Sequence, residues 1–222
     1  MEEICVKKKL VSLVLVVALL VSIPLSAFAS VNFNSSILNG RDDIIVSTDD
    51  MAGITYIRPA AVADGTMLVQ PAPSTTILVF PNIGLTDSGD FFTLQFGYHG
   101  YEWAFFDSII IKIGDNRYIF SDCPTSASVD SDGTVFENIR FTAKNEILPF
   151  MNDFATNKDS EIKVRLHGAS SSFDFTLTDD MKDSICSLYA LYIAGGGLSQ
   201  PNFDLMSYVD KTTVTRNGVI LR

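Results

Sequence analysis

The chain has 222 residues, and its sixteen lysines and arginines against 26 aspartates and glutamates give a formal net charge of −10. Hydrophobic residues make up 47% of the chain and aromatic residues 11%, which is enough for one domain to bury a sizeable core. The acidic balance argues against nucleic acid and anionic lipid as partners, because binding their phosphates needs a basic surface.

The first 29 residues have the three-part organisation of a secretory signal peptide. Lys7 to Lys9 provide a positive start, an apolar run extends from Leu10 to Ile23, and Pro24 and Ala27-Phe28-Ala29 follow. That run is shorter than the roughly 18 apolar residues that a membrane-spanning helix needs. We therefore expect cleavage after Ala29 and a secreted or extracytoplasmic mature chain with no membrane span. The alternative is an uncleaved N-terminal anchor.

Residues 30–50 are rich in Asn, Ser and Asp and are interpreted as a flexible lead-in. Residues 51–222 are predicted to form a single β-rich domain, with a C-terminal tail from about residue 198. Its first strands lie within residues 54–80, where prolines fall in the connections. A clearer strand covers residues 92–98, where large apolar residues alternate with small or polar ones in the period of two typical of a half-buried strand.

Several turns predict how the later strands connect. Gly114-Asp115-Asn116-Arg117 predicts a β-hairpin between residues 109–113 and 118–120. The turn at residues 130–133 introduces a strand at residues 134–141. Alternating segments at residues 162–167 and 173–177 predict an antiparallel pair, and Asn217-Gly218 predicts a terminal hairpin.

Two helices are predicted among these strands. The longer covers residues 179–194, with Thr178 as its N-cap, and a shorter one covers about residues 149–155. The apolar face of the longer helix is expected to comprise Met181, Ile185, Leu188, Tyr189, Tyr192 and Ile193, and that of the shorter one Phe150, Met151 and Phe154. The predicted fold class is mainly β (α+β): an antiparallel β-sandwich-like domain with one C-terminal helix and a second short helix.

Two cysteines, Cys123 and Cys186, remain after the leader is removed. In an oxidising compartment they could form one disulfide. The alternative is two independent buried thiols, since cysteine also behaves as a small hydrophobe.

The sequence contains no familiar catalytic motif, and no cofactor or metal is expected. His99 is the best candidate for a general base, with Glu102 or Asp107 as the acid that orients it; the simpler interpretation is a surface histidine. Asp130-Ser131-Asp132-Gly133 resembles the start of a calcium loop, but its glycine comes two positions early, which favours a plain β-turn.

One cluster has the character of a binding site. Tyr98, Tyr101 and Trp103 surround Glu102, and aromatic rings beside a carboxylate can stack on a sugar while the acid accepts hydroxyl hydrogen bonds. The alternative is that these rings pack in the core. The sequence thus predicts a non-enzymatic binding module with a glycan or protein partner. A carbohydrate-binding module using residues 98–103 and a hydrolase of unrecognised motif are the alternatives.

Overall fold

The computed structural model of the chain describes residues 33–87, 89–142, 147–197 and 212–221. The predicted signal peptide and residues 198–211 of the predicted tail lie outside these ranges. Within them the chain forms thirteen strands and two α-helices, α1 (Leu148–Thr156) and α2 (Asp179–Ala194). The strands are β1 (Ile44–Asp49), β2 (Ile54–Pro59), β3 (Leu68–Ala72), β4 (Thr75–Thr86), β5 (Gly89–Gly100), β6 (Phe106–Ile113), β7 (Asn116–Ser121), β8 (Thr125–Val129), β9 (Val135–Thr142), β10 (Ile162–Gly168), β11 (Ser172–Thr176), β12 (Thr213–Arg216) and β13 (Val219–Ile220).

The strands form two antiparallel sheets. The first sheet has the order β1-β2-β4-β5-β9-β8, and β3 also pairs with β4. The second has the order β11-β10-β6-β7-β12-β13. The chain passes from the first sheet to the second between β5 and β6, and that connection carries the candidate site described below. The mainly β, sandwich-like fold class predicted from the sequence is confirmed.

Aromatic contacts between the sheets form the centre of the sandwich. Phe96 of the first sheet lies 6.2 Å from Phe175 of the second, measured between ring centroids. Phe141 of the first sheet stacks on Phe120 of the second at 4.1 Å, with an interplanar angle of 8°. All four side chains are on the inner faces, as the alternation of buried and exposed residues along their strands requires.

The two helices complete this core. Phe150 of α1 packs edge-to-face against Phe120 and Phe141, and Tyr189 and Tyr192 of α2 contact Phe92. Phe150, Met151 and Phe154 are buried as predicted. The Thr178 side chain caps α2 by accepting a hydrogen bond from the Met181 amide, which is also as predicted.

The expected apolar face of α2 is wrong at one position and incomplete at two others, Lys182 and Leu191, which are both buried. Ile193 is 44% exposed, so it does not widen the buried face. Lys182 is buried instead, because its ammonium group donates to the Ser160 carbonyl at 3.0 Å and pairs with Asp179 at 2.8 Å. Its aliphatic stem is therefore covered while the charge remains satisfied.

Both predicted hairpins form, although the first turn comprises two residues and not the four expected, because Asn116 and Arg117 already belong to β7. Ile113 pairs with Asn116 across Gly114-Asp115, and Gly114 has a positive φ of 54°. Arg216 pairs with Val219 across Asn217-Gly218, whose φ values are 49° and 84°. Positive φ at both central residues is the geometry for which Asn-Gly is selected.

Two features of the first sheet differ from the sequence interpretation. The segment interpreted as a flexible lead-in contains β1, which pairs along its whole length with β2. Two prolines expected in the connections lie in strands instead: Pro59 ends β2, and Pro71 lies at the irregularity of β3 between Val69 and Ala72. Pro81 lies within β4 at a position paired on one side with Leu94 of β5. On the other side β4 pairs with β3 up to Leu78 and with β2 from Ile83. Pro81 lies in the interval between these partners, so its missing N–H removes no ladder hydrogen bond.

None of the helices within the described ranges is long and apolar enough to cross a membrane.

Candidate functional site

Residues 101–105, which we call the aromatic loop, connect β5 of the first sheet to β6 of the second. Tyr101 is 68% exposed and Phe105 is 55% exposed. Trp103 is half-buried and stacks on Phe105, with ring centroids 5.7 Å apart and an interplanar angle of 17°. Three aromatic residues within five positions therefore reach the surface, and two of their rings are nearly parallel. Exposed apolar groups concentrated in this way are typical of interaction sites.

Backbone geometry directs Phe105 outwards. Its φ is +54°, a region that bulky residues rarely occupy. Its neighbours Ala104 and Phe106 are both buried, so the unusual conformation places one exposed ring between two core residues. Such a conformation costs about 1–3 kcal/mol and persists only where the surroundings enforce it.

Glu137 provides much of that enforcement. It lies on the inner face of β9, where only 5% of it is exposed. Its carboxylate oxygens accept hydrogen bonds from the backbone amides of Ala104 at 2.5 Å and Phe106 at 3.3 Å. Charged acceptors make stronger hydrogen bonds than neutral ones. One buried side chain of the first sheet thus holds the backbone on both sides of Phe105.

Further hydrogen bonds hold the aromatic loop from the two sheets. The Tyr98 hydroxyl of β5 donates to the Glu102 carbonyl at 2.9 Å. In the turn between β10 and β11, the amides of Ala169 and Ser170 donate to the carbonyls of Phe105 and Ala104, each at 3.1 Å. The turn approaches so closely that a Cβ on Gly168 would lie 2.3 Å from the Ala104 oxygen. The backbone of the loop is fixed on several sides, while its rings face solvent.

The structure separates the four residues predicted to form the binding cluster. Tyr101 and Glu102 are exposed, and Trp103 is at the surface. Tyr98 is only 2% exposed and stacks on Phe173, so its ring cannot contact a ligand, and its place in the predicted cluster is corrected to a supporting one. Burial raises the pKa of the Tyr98 phenol, which keeps its hydroxyl available as a donor to the loop.

Phe105 and Glu137 were not among the residues predicted for the site. No sequence signal predicts the positive φ of Phe105. Glu137 could have been found, because the period of two places it on the same face of its strand as Ile139 and Phe141. A lone acid on a buried apolar face requires a hydrogen-bonding partner.

His99 makes a contact of a different kind from those predicted. Its Nε2 lies 3.1 Å from the Thr134 hydroxyl, which donates to Asp132 at 2.6 Å. The Thr134 amide also donates to Asp132, and these hydrogen bonds lower the pKa of the Asp132 carboxyl. Thr134 is 3% exposed, so its hydroxyl is not open to a substrate. The three residues fix the predicted turn before β9.

Neither acid proposed for His99 is bonded to it within the described residues. His99 instead contacts the Thr134 hydroxyl, which donates to Asp132. His167 lies on the exposed face of β10, and its Nδ1 is 2.8 Å from the Ser172 hydroxyl on the neighbouring strand.

The two cysteines of the predicted mature chain, Cys123 and Cys186, are not bonded to each other in the structure. Cys123 is buried after β7, and its thiol donates to the Phe120 carbonyl at 3.4 Å. Cys186 is half-buried on α2, where burial raises the pKa of the thiol and so makes it less reactive.

A depression of about 480 Å³ lies on the second sheet. Its lining includes basic residues on three neighbouring strands: Lys163 of β10, Lys112 of β6 and Arg117 of β7. The described ranges contain no group of three or more His, Cys, Asp or Glu side chains placed to hold a metal ion.

No family model matches the chain, and no curated protein or solved structure is significantly similar to it. The aromatic loop and the depression on the second sheet are the surfaces that bear on its function.

Proposed function

We propose that this protein is an exported, non-enzymatic binding module whose ligand-contacting surface is the aromatic loop. The observation that supports this proposal is the combination of exposed rings and a fixed backbone. Tyr101 and Phe105 are both more than half exposed, yet the backbone beside Phe105 is hydrogen-bonded to Glu137 and to the turn between β10 and β11.

Physical arguments favour binding at such a loop. Aromatic side chains provide large contact areas and dominate the energetics of many interfaces. A loop already held in one conformation loses little conformational entropy when a ligand arrives. The strained φ of Phe105 also favours a binding role, because a costly backbone conformation is kept and its effect is to expose an aromatic ring.

Export is the part of the proposal that rests on the sequence. The positive start, apolar run and Ala27-Phe28-Ala29 site support a secretory leader, and the ligand would then lie outside the cytoplasm. Mass spectrometry of the protein recovered from its native cell fraction tests this part. Export predicts a mature N-terminus at Ser30 outside the cytoplasm, whereas an intact leader on a cytoplasmic protein would contradict it.

A carbohydrate is the ligand that the ring geometry favours. The rings of Trp103 and Phe105 are within 17° of parallel, and the exposed Glu102 directly precedes Trp103 in sequence. Nearly parallel rings suit the flat apolar face of a sugar, and a carboxylate accepts hydrogen bonds from its hydroxyls. A protein surface is the second candidate, since exposed aromatic residues also anchor protein interfaces.

Affinity electrophoresis through gels that contain different neutral polysaccharides tests the binding surface. Tyr101→Ser with Phe105→Gly removes two exposed rings, and glycine accepts the positive φ at position 105. Val129→Ser with Val219→Ser is the matched control, since it removes two exposed apolar side chains elsewhere.

We expect at least one polysaccharide to retard both the wild type and the control pair. The affinity of the loop variant for that polysaccharide should be lower by about tenfold or more, which corresponds to about 1.4 kcal/mol of binding free energy. Equal retardation of all three proteins would contradict a role for the aromatic loop. Loop-dependent binding to a protein but to no polysaccharide would favour the second candidate.

A further inference from the structure

The exposed face of the second sheet has a row of positive charges that becomes visible only when the strands are paired. Lys163 of β10 is directly opposite Lys112 of β6, and Lys112 is directly opposite Arg117 of β7. Neighbouring strands are about 4.8 Å apart, so the three residues span about 10 Å across the sheet. We call Lys163, Lys112 and Arg117 the cationic row. All three line the depression of about 480 Å³.

Such a row opposes stability, because like charges directly opposite one another on neighbouring strands repel. The chain has 26 acidic residues and only sixteen basic ones, so its composition would allow acidic residues to stand opposite the basic ones on these strands. Within the described ranges the side chains of Lys112 and Arg117 form no ion pair, although both are exposed. A costly arrangement that the composition does not impose points to a ligand with complementary charge.

The acidic groups near the row offset only part of its charge. Asp174 also lines the depression, but Arg165 engages both of its oxygens at 2.6 and 2.5 Å. Glu161 lies 3.0 Å from Lys163, and both side chains of that pair are more than half exposed. An exposed pair of this kind is weak and exchanges readily. Lys112 and Arg117 are therefore the two residues of the row whose charges no acidic side chain offsets.

Beside the cationic row, β6 and β7 carry first a pair of isoleucines and then a pair of serines on the same face, while β10 carries Arg165 beside the isoleucines. Two residues away along β6, Ile110 pairs with Ile119 of β7. Two residues further, Ser108 pairs with Ser121 and with His167. On β6 and β7 the surface thus presents charge, apolar contact and hydroxyl groups at consecutive outward positions. That order suits a ligand with regularly spaced anionic groups on an otherwise hydroxylated, partly apolar body.

We propose that the depression on the second sheet binds an acidic polysaccharide, whose carboxylate or sulfate groups contact Lys163, Lys112 and Arg117. The charges repeat at the strand spacing, which is comparable to the length of one sugar residue. The depression also lies within the usual volume range of ligand sites. This site is separate from the aromatic loop, because Lys112 is six residues along β6 from Phe106, or about 20 Å.

Isothermal titration with short oligogalacturonate tests the site, with a sulfated oligosaccharide and a neutral oligosaccharide of similar length in parallel. Lys112→Gln with Arg117→Gln removes the uncompensated charges. Arg41→Gln with Lys158→Gln is the matched control, since it removes two charges that are ion-paired on other surfaces. Comparison of the carboxylated and sulfated ligands identifies the preferred anionic group.

We expect the wild type and the control to bind at least one acidic oligosaccharide, and the row variant to bind it at least tenfold more weakly. Binding by the Lys112→Gln, Arg117→Gln variant should also depend less steeply on salt concentration, because the loss of two contacts removes the release of about two counterions. Its thermal unfolding temperature at low salt should stay the same or rise, because a repulsion has been removed. That result would separate loss of the site from loss of the fold.

Three results would overturn the proposal. They are the absence of binding to any acidic oligosaccharide by the wild type, equal binding by the row variant, and equal weakening in the control. A negative result at the cationic row would not contradict the proposed role of the aromatic loop, because the loop experiment uses neutral polysaccharides and different residues.

Discussion

Replacing Glu137 with alanine should release the aromatic loop and destabilise the whole domain. The substitution leaves the amides of Ala104 and Phe106 buried without their acceptor. A hydrogen bond to a charged group contributes about 1.5–3 kcal/mol, and the 3.3 Å bond to Phe106 is the weaker of the two. We therefore expect the free energy of unfolding to fall by about 3 kcal/mol, a large part of the 5–15 kcal/mol typical of a domain.

Urea unfolding at neutral pH, followed by far-ultraviolet circular dichroism, measures this loss. Glu102→Gln is the matched control, because it neutralises an exposed carboxylate on the same loop and should change stability by less than about 0.5 kcal/mol. Glu137→Gln should be intermediate, since the two backbone amides donate to different carboxylate oxygens and the NH2 group that replaces one of those oxygens cannot accept. A loss below about 1 kcal/mol in Glu137→Ala would refute the role assigned to this carboxylate.

Three further predictions concern the support of the loop and the core. Gly168→Ala should cost about 1–3 kcal/mol in urea unfolding, because its Cβ would meet the Ala104 oxygen; an unchanged midpoint would contradict the close packing of that turn. Burial and a 2.9 Å hydrogen bond to Asp153 raise the pKa of Tyr118 to about 12, so its contribution to stability is complete below about pH 10 and is lost as pH rises through 12. In Asp153→Asn, tyrosinate absorbance should show that pKa moving down towards 10, and an unmoved titration would exclude Asp153 as a cause. Phe150→Ala should cost about 3–5 kcal/mol, since the ring contacts both sheets; a loss below about 1 kcal/mol would contradict its central position.

Features that depend on neighbours in sequence could be predicted from the sequence. The cap of helix α2 directly precedes it, and its first-turn acids and its buried residues lie within its own sixteen positions. The hairpins at Gly114-Asp115 and Asn217-Gly218 follow from the positive φ that these residue types accept. The strand from Gly89 to Gly100 was visible because its inner face is strongly apolar.

Strand β1 shows why other elements could not be predicted. Five of its six residues are exposed, so no apolar alternation marks it, and its place in the sheet comes from pairing with β2. Burial of Lys182 likewise depends on a carbonyl 22 positions away.

The candidate site was predictable only in part, for similar reasons. The composition of residues 98–103 pointed to the connection between the sheets, but which rings are exposed depends on the path of the chain between the sheets. The outward turn of Phe105 depends on Glu137, more than thirty positions away. The pairing of Lys112 with Arg117 follows from a local hairpin, whereas their alignment with Lys163 requires a contact between distant strands.

The fluorescence of Trp103, the single tryptophan of the chain, gives the most direct test of the proposal that the aromatic loop binds the ligand. The protein is titrated with the polysaccharide or protein partner that retains it best, and the emission of wild type and Phe105→Gly is compared at equal ligand concentration. Binding at the loop predicts a saturable change in intensity or wavelength in the wild type, and a change that needs at least tenfold more ligand in the variant. Saturable binding by calorimetry with unchanged Trp103 emission would place the ligand elsewhere and contradict the proposal.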